Sequence, residues 1–403
     1  MIRNPLSEFH PIVRILFLGS FLTYIGLSMI VPYFAIYLAH YTGLSGPVIG
    51  FVIGGSALVG MFGGLAGGML SDRFGRKNIM LGALLASSFV LAGLAVSAHP
   101  LLLVLLTLLK GMSTAFFDPC AKALIADVTE PGKRVRAFSY RYLSANLGFA
   151  FGPLLGMLAG VGAESTLPFF VASGVFLLYF LLLGMYIRKY SITDVSSPAI
   201  NRPKIKESLG VMQRDKTLLL FICGGVLAMS VHGQFSVVLP QYFAAEFTNG
   251  LGFIQLLWTV HSLVIILGGL PVARAVEKRS AFFSIVIGSV LFAVGCICFS
   301  LSFNVWTFIV SMVIFTLGEI FIAPAEYAII DEITPESVRG TYYGAFSFTT
   351  LGSFVGPGIA GMLLVRYGGT VMFSVLALVA LVSIFFYWRG SVRKMNSMLT
   401  LKQ

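Results

Sequence analysis

Apolar runs of about twenty residues recur along the whole chain, parted by short stretches rich in Arg, Lys, Gly and Pro. Each run is long enough to cross a bilayer as a helix. The runs are unbroken rather than alternating, which points to helices and not to barrel strands. The pattern predicts twelve spans: 11–39, 47–71, 78–97, 100–128, 137–161, 166–188, 217–245, 250–274, 281–302, 304–332, 338–366 and 369–389. The longest polar stretch, Arg188 to Lys216, holds Ser196, Ser197, Pro198, Pro203 and seven basic residues. It divides six spans from six and reads as a linker. The expected organisation is therefore a bundle over 1–188, a cytoplasmic linker over 189–216 and a second bundle over 217–403.

The two sets of spans repeat one another. In the first half, Asp118, Pro119, Cys120, Ala121 and Lys122 precede a Gly148, Gly152-Pro153, Gly156 run. In the second, Ala323, Pro324, Ala325, Glu326 and Tyr327 precede Gly352, Gly356-Pro357 and Gly361. The offset is 205 residues at the inner prolines (324 − 119) and 204 at the Gly-Pro pairs (357 − 153). Val31-Pro32-Tyr33 in span 1 matches Leu239-Pro240-Gln241 in span 7, and Gly67-Gly68 in span 2 matches Gly268-Gly269 in span 8. Four helices thus have a partner six helices later. Parallel halves of this kind point to a transporter that rocks two bundles about a central site.

Composition supports a membrane protein. The chain is 57% hydrophobic and 11% charged, against about 25% charged in soluble domains. A net charge of +11 could suggest nucleic acid, but its distribution argues for topology. Of the 27 Lys and Arg residues, 23 fall in even-numbered loops and the termini. The basic side is then cytoplasmic, with both termini inside. Arg366 sits near an odd-numbered loop, and Lys110, Lys122 and Arg141 lie well inside spans. Cys120, Cys223, Cys296 and Cys298 all fall in predicted spans, where they read as small packing residues. The first apolar stretch is too long for a signal-peptide core and should remain as the first helix.

The run Gly68-Met69-Leu70-Ser71-Asp72-Arg73-Phe74-Gly75-Arg76-Lys77 resembles the signature loop between helices 2 and 3 of the major facilitator superfamily. The segment around Gly148, Gly152, Pro153 and Gly156 resembles the helix 5 antiporter motif of its twelve-helix bacterial drug/proton antiporters. The resemblance covers the whole chain. It implies an all-α membrane fold of two pseudo-symmetric six-helix bundles, a bacterial inner (plasma) membrane location and a monomer. It also makes helix 11 the partner of Asp72, in a latch formed with Gly68, Arg73, Gly75 and Arg76. The second-half copy has Ala273 where Asp72 stands, so the latch is expected on one side only. One departure matters. That group usually carries an Arg four residues before a helix 4 Gly, where this chain has Thr107 before Gly111. Lys110 is near but out of register, so the relay assigned to that Arg is not carried over.

The glycines of both Gly-Pro runs are expected to pack helices closely, at an interface between the halves. Charges inside spans are costly and mark functional positions. Lys110, Thr114, Asp118 and Lys122 share one face of span 4 at helical spacing. The 205-residue offset maps Glu319 and Glu326 of span 10 onto that face. The resemblance places helices 1, 4, 7 and 10 around the cavity, so both charged faces should meet across it. Glu319 lies mid-span among Ile314, Phe315, Leu317, Ile320 and Phe321. Apolar surroundings penalise its charge, which suits a proton carrier. The alternative is a structural carboxylate held by Lys110 or a hydroxyl. Asp118 and Glu326 are further proton-coupling candidates, although Asp118 and Lys122 also suit a local pair. Tyr24, Tyr33, Lys110, Lys122, Arg141, His232 and Gln241 are the candidate cavity lining. Asp127, Asp331 and Glu332, near cytoplasmic helix ends, are expected to be solvated or to hold loops.

The leading functional reading is a proton-coupled exporter of amphipathic or cationic small molecules. The alternative is a proton-coupled carrier of a specific metabolite such as a sugar, peptide or siderophore. No nucleotide-binding loop, nucleophile elbow or metal-ligand spacing is present in the sequence, so an enzyme, a cofactor and a metal are not expected.

Overall fold

A computed structural model describes residues 5–31, 33–158, 165–190, 205–234, 238–239, 242–243, 250–277 and 279–400. Among these residues there are helices and no strand. In the first half they are α1 (Pro11–Ile30), α2 (Phe34–Thr42), α3 (Gly46–Phe74), α4 (Arg76–Val96), α5 (Pro100–Val128), α6 (Arg134–Leu158) and α7 (Leu167–Lys189). Next come α8 (Ile205–Arg214), α9 (Lys216–His232), α10 (Gly250–Glu277), α11 (Ala281–Leu301) and α12 (Val305–Ile333). The last are α13 (Arg339–Phe346) and α14 (Thr350–Thr400). Among the described residues, nine helices are long and apolar enough to cross a membrane.

Two boundaries differ from the hydropathy pattern. Span 1 was expected as one helix over 11–39, but α1 ends at Ile30 and α2 begins at Phe34. The break falls on Val31-Pro32-Tyr33, where a proline supplies no N–H and disfavours helix before it. At the other end, spans 11 and 12 run together as α14, divided only by Gly368 at φ +81°. Glycine accepts that left-handed geometry without a Cβ clash.

The chain divides into two compact units. The first holds Met1–Gly210 and Thr334–Ser347; the second holds Val211–Ile333 and Phe348–Gln403. The chain of span 11 is therefore shared: α13 belongs to the first unit and α14 to the second. In the first unit α3 packs on α5, α1 on α6 and α7, and α13 on α3. In the second unit α14 packs on α9 and α11, and α12 on α10 and α11. Large apolar side chains such as Phe51, Phe89, Trp306 and Val365 point outward. A bilayer, not water, suits that surface.

Small residues make the tightest contacts, as expected where lipid tails remove the hydrophobic drive between helices. The expected place was an interface between halves; the contacts instead lie within each unit. A Cβ at Gly152 would stand 1.9 Å from the Ser28 hydroxyl oxygen and 2.6 Å from the Ile25 carbonyl. Gly148 is held as closely on α1, 2.3 Å from the Phe21 carbonyl by the same measure. In the second unit Gly352 and Gly356 press on α9 at Val226 and Ser230. The physical reason is the repeat itself: each Gly-Pro helix docks on the first helix of its own bundle. We expect Gly152→Val to cost about 1–3 kcal/mol through overpacking, while Gly156→Ala, whose Cβ would have ordinary contact at 3.8 Å, should be tolerated. Thermal unfolding of the two purified variants checks this.

Candidate functional site

Three charged clusters form, one at mid-helix in each unit and one where α3 meets α13 in the first. In the second unit, Glu319 sits halfway along α12 with 8% of its surface exposed. The His232 Nε2 atom, at the end of α9, lies 3.2 Å from Glu319 Oε1. His261 Nε2, on α10, lies 3.7 Å from Oε2. Three helices thus converge on one carboxylate. His261 lies in an apolar run, and only the packing of α10 on α12 brings it to Glu319.

The Thr316 hydroxyl fixes that imidazole. It donates to the Met312 carbonyl at 2.8 Å and lies 3.0 Å from His261 Nδ1. With its own proton used on Met312, the oxygen accepts from Nδ1–H, and Nε2 is left facing Glu319. A neutral ring then opposes its lone pair to an ionised carboxylate, so the group is satisfied when it holds a proton. Thr316→Val should cost about 1–3 kcal/mol by leaving a buried Nδ1–H unpaired. Thr316→Ser should restore the loss; thermal unfolding of both variants tests the pair. Glu326, one helical turn pair further along α12, is also buried and accepts a hydrogen bond from the Tyr387 hydroxyl of α14.

In the first unit Asp118 on α5 accepts from both Lys122, at 2.6 Å, and Arg141 of α6. The local Asp118–Lys122 pair expected from spacing is present, and Arg141 extends it. This cluster borders a cavity of about 250 Å³. Ser20, Thr23 and Tyr24 of α1, Thr114 and Asp118 of α5, and Arg141 form its polar wall; Leu27, Leu84, Phe117 and Phe176 form much of the rest. Lys110 does not reach Asp118. Its ammonium lies over the Phe34 ring, 4.2 Å from the centroid. Tyr33 stands at the start of α2, outside the cavity lining. His232 belongs with Glu319 and not with this cavity, and Gln241 lies outside the described residues.

The third cluster lies where α3 meets α13. A Cβ on Gly68 would come within 2.0 Å of the Gly340 carbonyl, so glycine is required for that approach. It lets the Asp72 carboxylate cap the first turn of α13. The Gly340 N–H donates at 2.8 Å, and the Thr341 N–H and hydroxyl each donate at 2.7 Å. A carboxylate at a helix N-terminus meets unpaired donors and the positive end of the dipole. Arg76 donates to both Asp72 and Asp127, and Arg339 of α13 donates to the other Asp127 oxygen. Gly75 makes the turn from α3 into α4 at φ +93°. Arg73 is exposed and lies against the Phe74 ring. Asp127 was expected to be solvated or to hold a loop; of the two it holds the chain, with its side chain buried where two guanidinium groups clamp it. Asp331, expected in the same class, is buried too, at 5% exposure. Glu332 keeps the solvated role, paired with Lys394 at the surface.

A family model described as Major Facilitator Superfamily matches residues 16–246 and 220–397. The chain belongs to that superfamily. Its fold has twelve helices, as the hydropathy pattern predicts, and its members are transporters. Three relatives bear on this major facilitator protein. It is 31% identical over 384 residues to the uncharacterized MFS-type transporter YqjV of Bacillus subtilis (strain 168), covering 94% of this chain and 93% of that one. It is 26% identical to a Na(+), Li(+), K(+)/H(+) antiporter of Planococcus maritimus, over 87% of this chain and 89% of that one. It is 24% identical to the multidrug resistance protein MdtH of Proteus mirabilis (strain HI4320), over 85% and 84%. Among the described residues of this transporter, no group of three or more His, Cys, Asp or Glu is arranged to hold a metal ion.

Proposed function

We propose that the protein is a proton-coupled antiporter that exports small amphipathic compounds by alternating access. The observation that carries the reading is the Glu319 site. A carboxylate buried mid-helix, flanked by two imidazoles, can gain and lose one proton without leaving an isolated charge in the bundle. Glu326 and Asp118, each hydrogen-bonded, are secondary candidates in the coupling. The antiporter and multidrug names of two relatives support the same reading. So does the Asp72 cap on α13, a contact suited to forming in one state and parting in another. In this reading residues 1–188 and 217–403 are the moving bundles and 189–216 is the cytoplasmic linker. The protein works as a monomer in a bacterial inner membrane with both termini inside.

The test is proton movement in proteoliposomes carrying an internal pH dye and an imposed pH gradient. Lipophilic cations, neutral drugs and small metabolites are added in turn. Compound-dependent proton release that saturates with concentration is expected. Compounds that cross without moving protons would overturn the coupling. A carrier of one metabolite is the second reading, favoured by the cations Lys110, Lys122 and Arg141 in the first unit; activity confined to a single compound would select it.

A further inference from the structure

The cavity of the first unit presents oxygens whose own protons are already directed elsewhere. Ser20, Thr23, Tyr24 and Leu27 line it from α1, and Thr114, Phe117 and Asp118 line it from α5. The polar members of each set lie within four residues, Ser20 to Tyr24 and Thr114 to Asp118, a rise of about 6 Å. One small molecule can therefore touch both sets. The Thr23 hydroxyl donates to the Gly19 carbonyl at 2.8 Å, and the Thr114 hydroxyl donates to the Lys110 carbonyl at 2.8 Å. Each oxygen then offers only lone pairs to the cavity. Asp118 accepts from Lys122 and Arg141, which fill two of about four acceptor positions on a carboxylate. Its side chain keeps 36% exposure. Ser20 is 2% exposed, and its buried hydroxyl has no hydrogen-bond partner among the described residues. A buried polar group left in that condition costs about 1–3 kcal/mol.

From this we infer that the cavity between α1 and α5 binds a small neutral compound whose head carries at least two hydrogen-bond donors, a vicinal diol being the simplest. Asp118 and Thr114 accept from the head on one wall, Thr23 and Ser20 meet it on the other, and an apolar body lies against Leu27, Phe117 and Phe176. Charge excludes the two ionic alternatives. A ligand ammonium would stand beside Lys122 and Arg141, the two cations that already hold Asp118. A ligand carboxylate would face the Asp118 carboxylate and the lone pairs of two threonines. Neutral O–H donors meet neither penalty. The volume, about 250 Å³, is near the lower end of ligand pockets and suits a compound with one ring. This inference names the head group of the substrate in the transport reading and rests on that reading for the direction of movement only.

The experiment is equilibrium binding to purified full-length protein, with no gradient, using four probes with a phenyl body: a phenylpropanediol with vicinal hydroxyls, its dimethyl ether, phenethylammonium and phenylacetate. The ether keeps the oxygens and lacks the donors. The diol should bind at least about tenfold more tightly than the ether, a difference of about 1.4 kcal/mol, and more tightly than either ion. Ser20→Ala and Thr114→Val should each weaken diol binding by about threefold to tenfold, as one lost hydrogen bond predicts. Both should leave ether binding unchanged, which also shows that the variants are folded. Thr114→Ser keeps the hydroxyl and should keep the affinity. Preference for the ammonium or the carboxylate, equal binding of diol and ether, binding of none, or a diol preference that survives both Ser20→Ala and Thr114→Val each overturns the site. Because no gradient is imposed, the outcome is separate from coupling. Diol binding without compound-dependent proton movement in proteoliposomes would sink the antiport reading and leave this site standing.

Discussion

Glu319→Gln is expected to abolish proton-driven transport, by about a hundredfold or more, while leaving the protein folded and able to bind substrate. Glutamine keeps the shape and one hydrogen-bond acceptor, so the 3.2 Å contact with His232 can survive. What it cannot do is exchange a proton. A hundredfold fall corresponds to about 2.7 kcal/mol on the rate-limiting step. Thermal unfolding should change little, because a neutral amide is easier to bury than a carboxylate. Substrate-for-substrate exchange at equal concentrations on both sides should stay within about threefold of wild type, since that exchange needs no proton. The two fluxes together separate coupling from structure. Equal loss of both would make Glu319 a packing element. Retention of both would move coupling elsewhere, with Glu326 the next carboxylate on the same helix. His261→Gln adds a graded control. It leaves Glu319 and His232 in place, so partial loss of coupling is expected, smaller than for Glu319→Gln.

How much of this was legible in the chain differs by kind of information. Helix number and order are a one-dimensional property of hydrophobic run length, and the runs carry them directly. Pro32 and Gly368 disturb that signal because a break of one or two residues hardly lowers the hydropathy of a run. The resemblance supplied Asp72 and its helix 11 partner, and α13 supplies the donors. For Asp127 the choice between solvent and a loop-holding role was open in the sequence, for a physical reason. Its position near the end of α5 suggests solvent, whereas Arg76 and Arg339, respectively 51 and 212 residues away along the chain, close over it. His261 is an isolated histidine in an apolar span. Nothing local marks it, because its partners Thr316 and Glu319 lie on another helix. Glycine spacing indicated close packing correctly but not its partner, since a small residue states that something approaches and not what.

Breaking the Asp72 cap is the second large effect. In Asp72→Asn the shape is kept but the charge is lost. Two backbone N–H groups and one hydroxyl then compete for a weaker acceptor, and Arg76 loses one of its two carboxylates. Removing one partner from a buried charged network costs about 3–5 kcal/mol, and an isosteric amide should recover part of that. The consequence is local, because α13 is a short helix of eight residues whose first turn rests on this carboxylate. Amide hydrogen exchange at Gly340 and Thr341 should therefore accelerate by about a hundredfold or more, while amides of α9 stay protected. Gly68→Leu reaches the same contact by another route. Its side chain would enter space held by the Gly340 carbonyl at 2.0 Å, so α13 must move away and the same two amides should lose protection. Arg73→Gln is the matched control, because it removes a basic side chain from the same loop at an exposed position and leaves the Asp72 carboxylate in place. Unchanged exchange in both Asp72→Asn and Gly68→Leu would mean that α13 is held by Arg339 and the surrounding aromatic packing alone. Equal acceleration by Arg73→Gln would mean that general basic charge, and not the carboxylate cap, holds the helix in place.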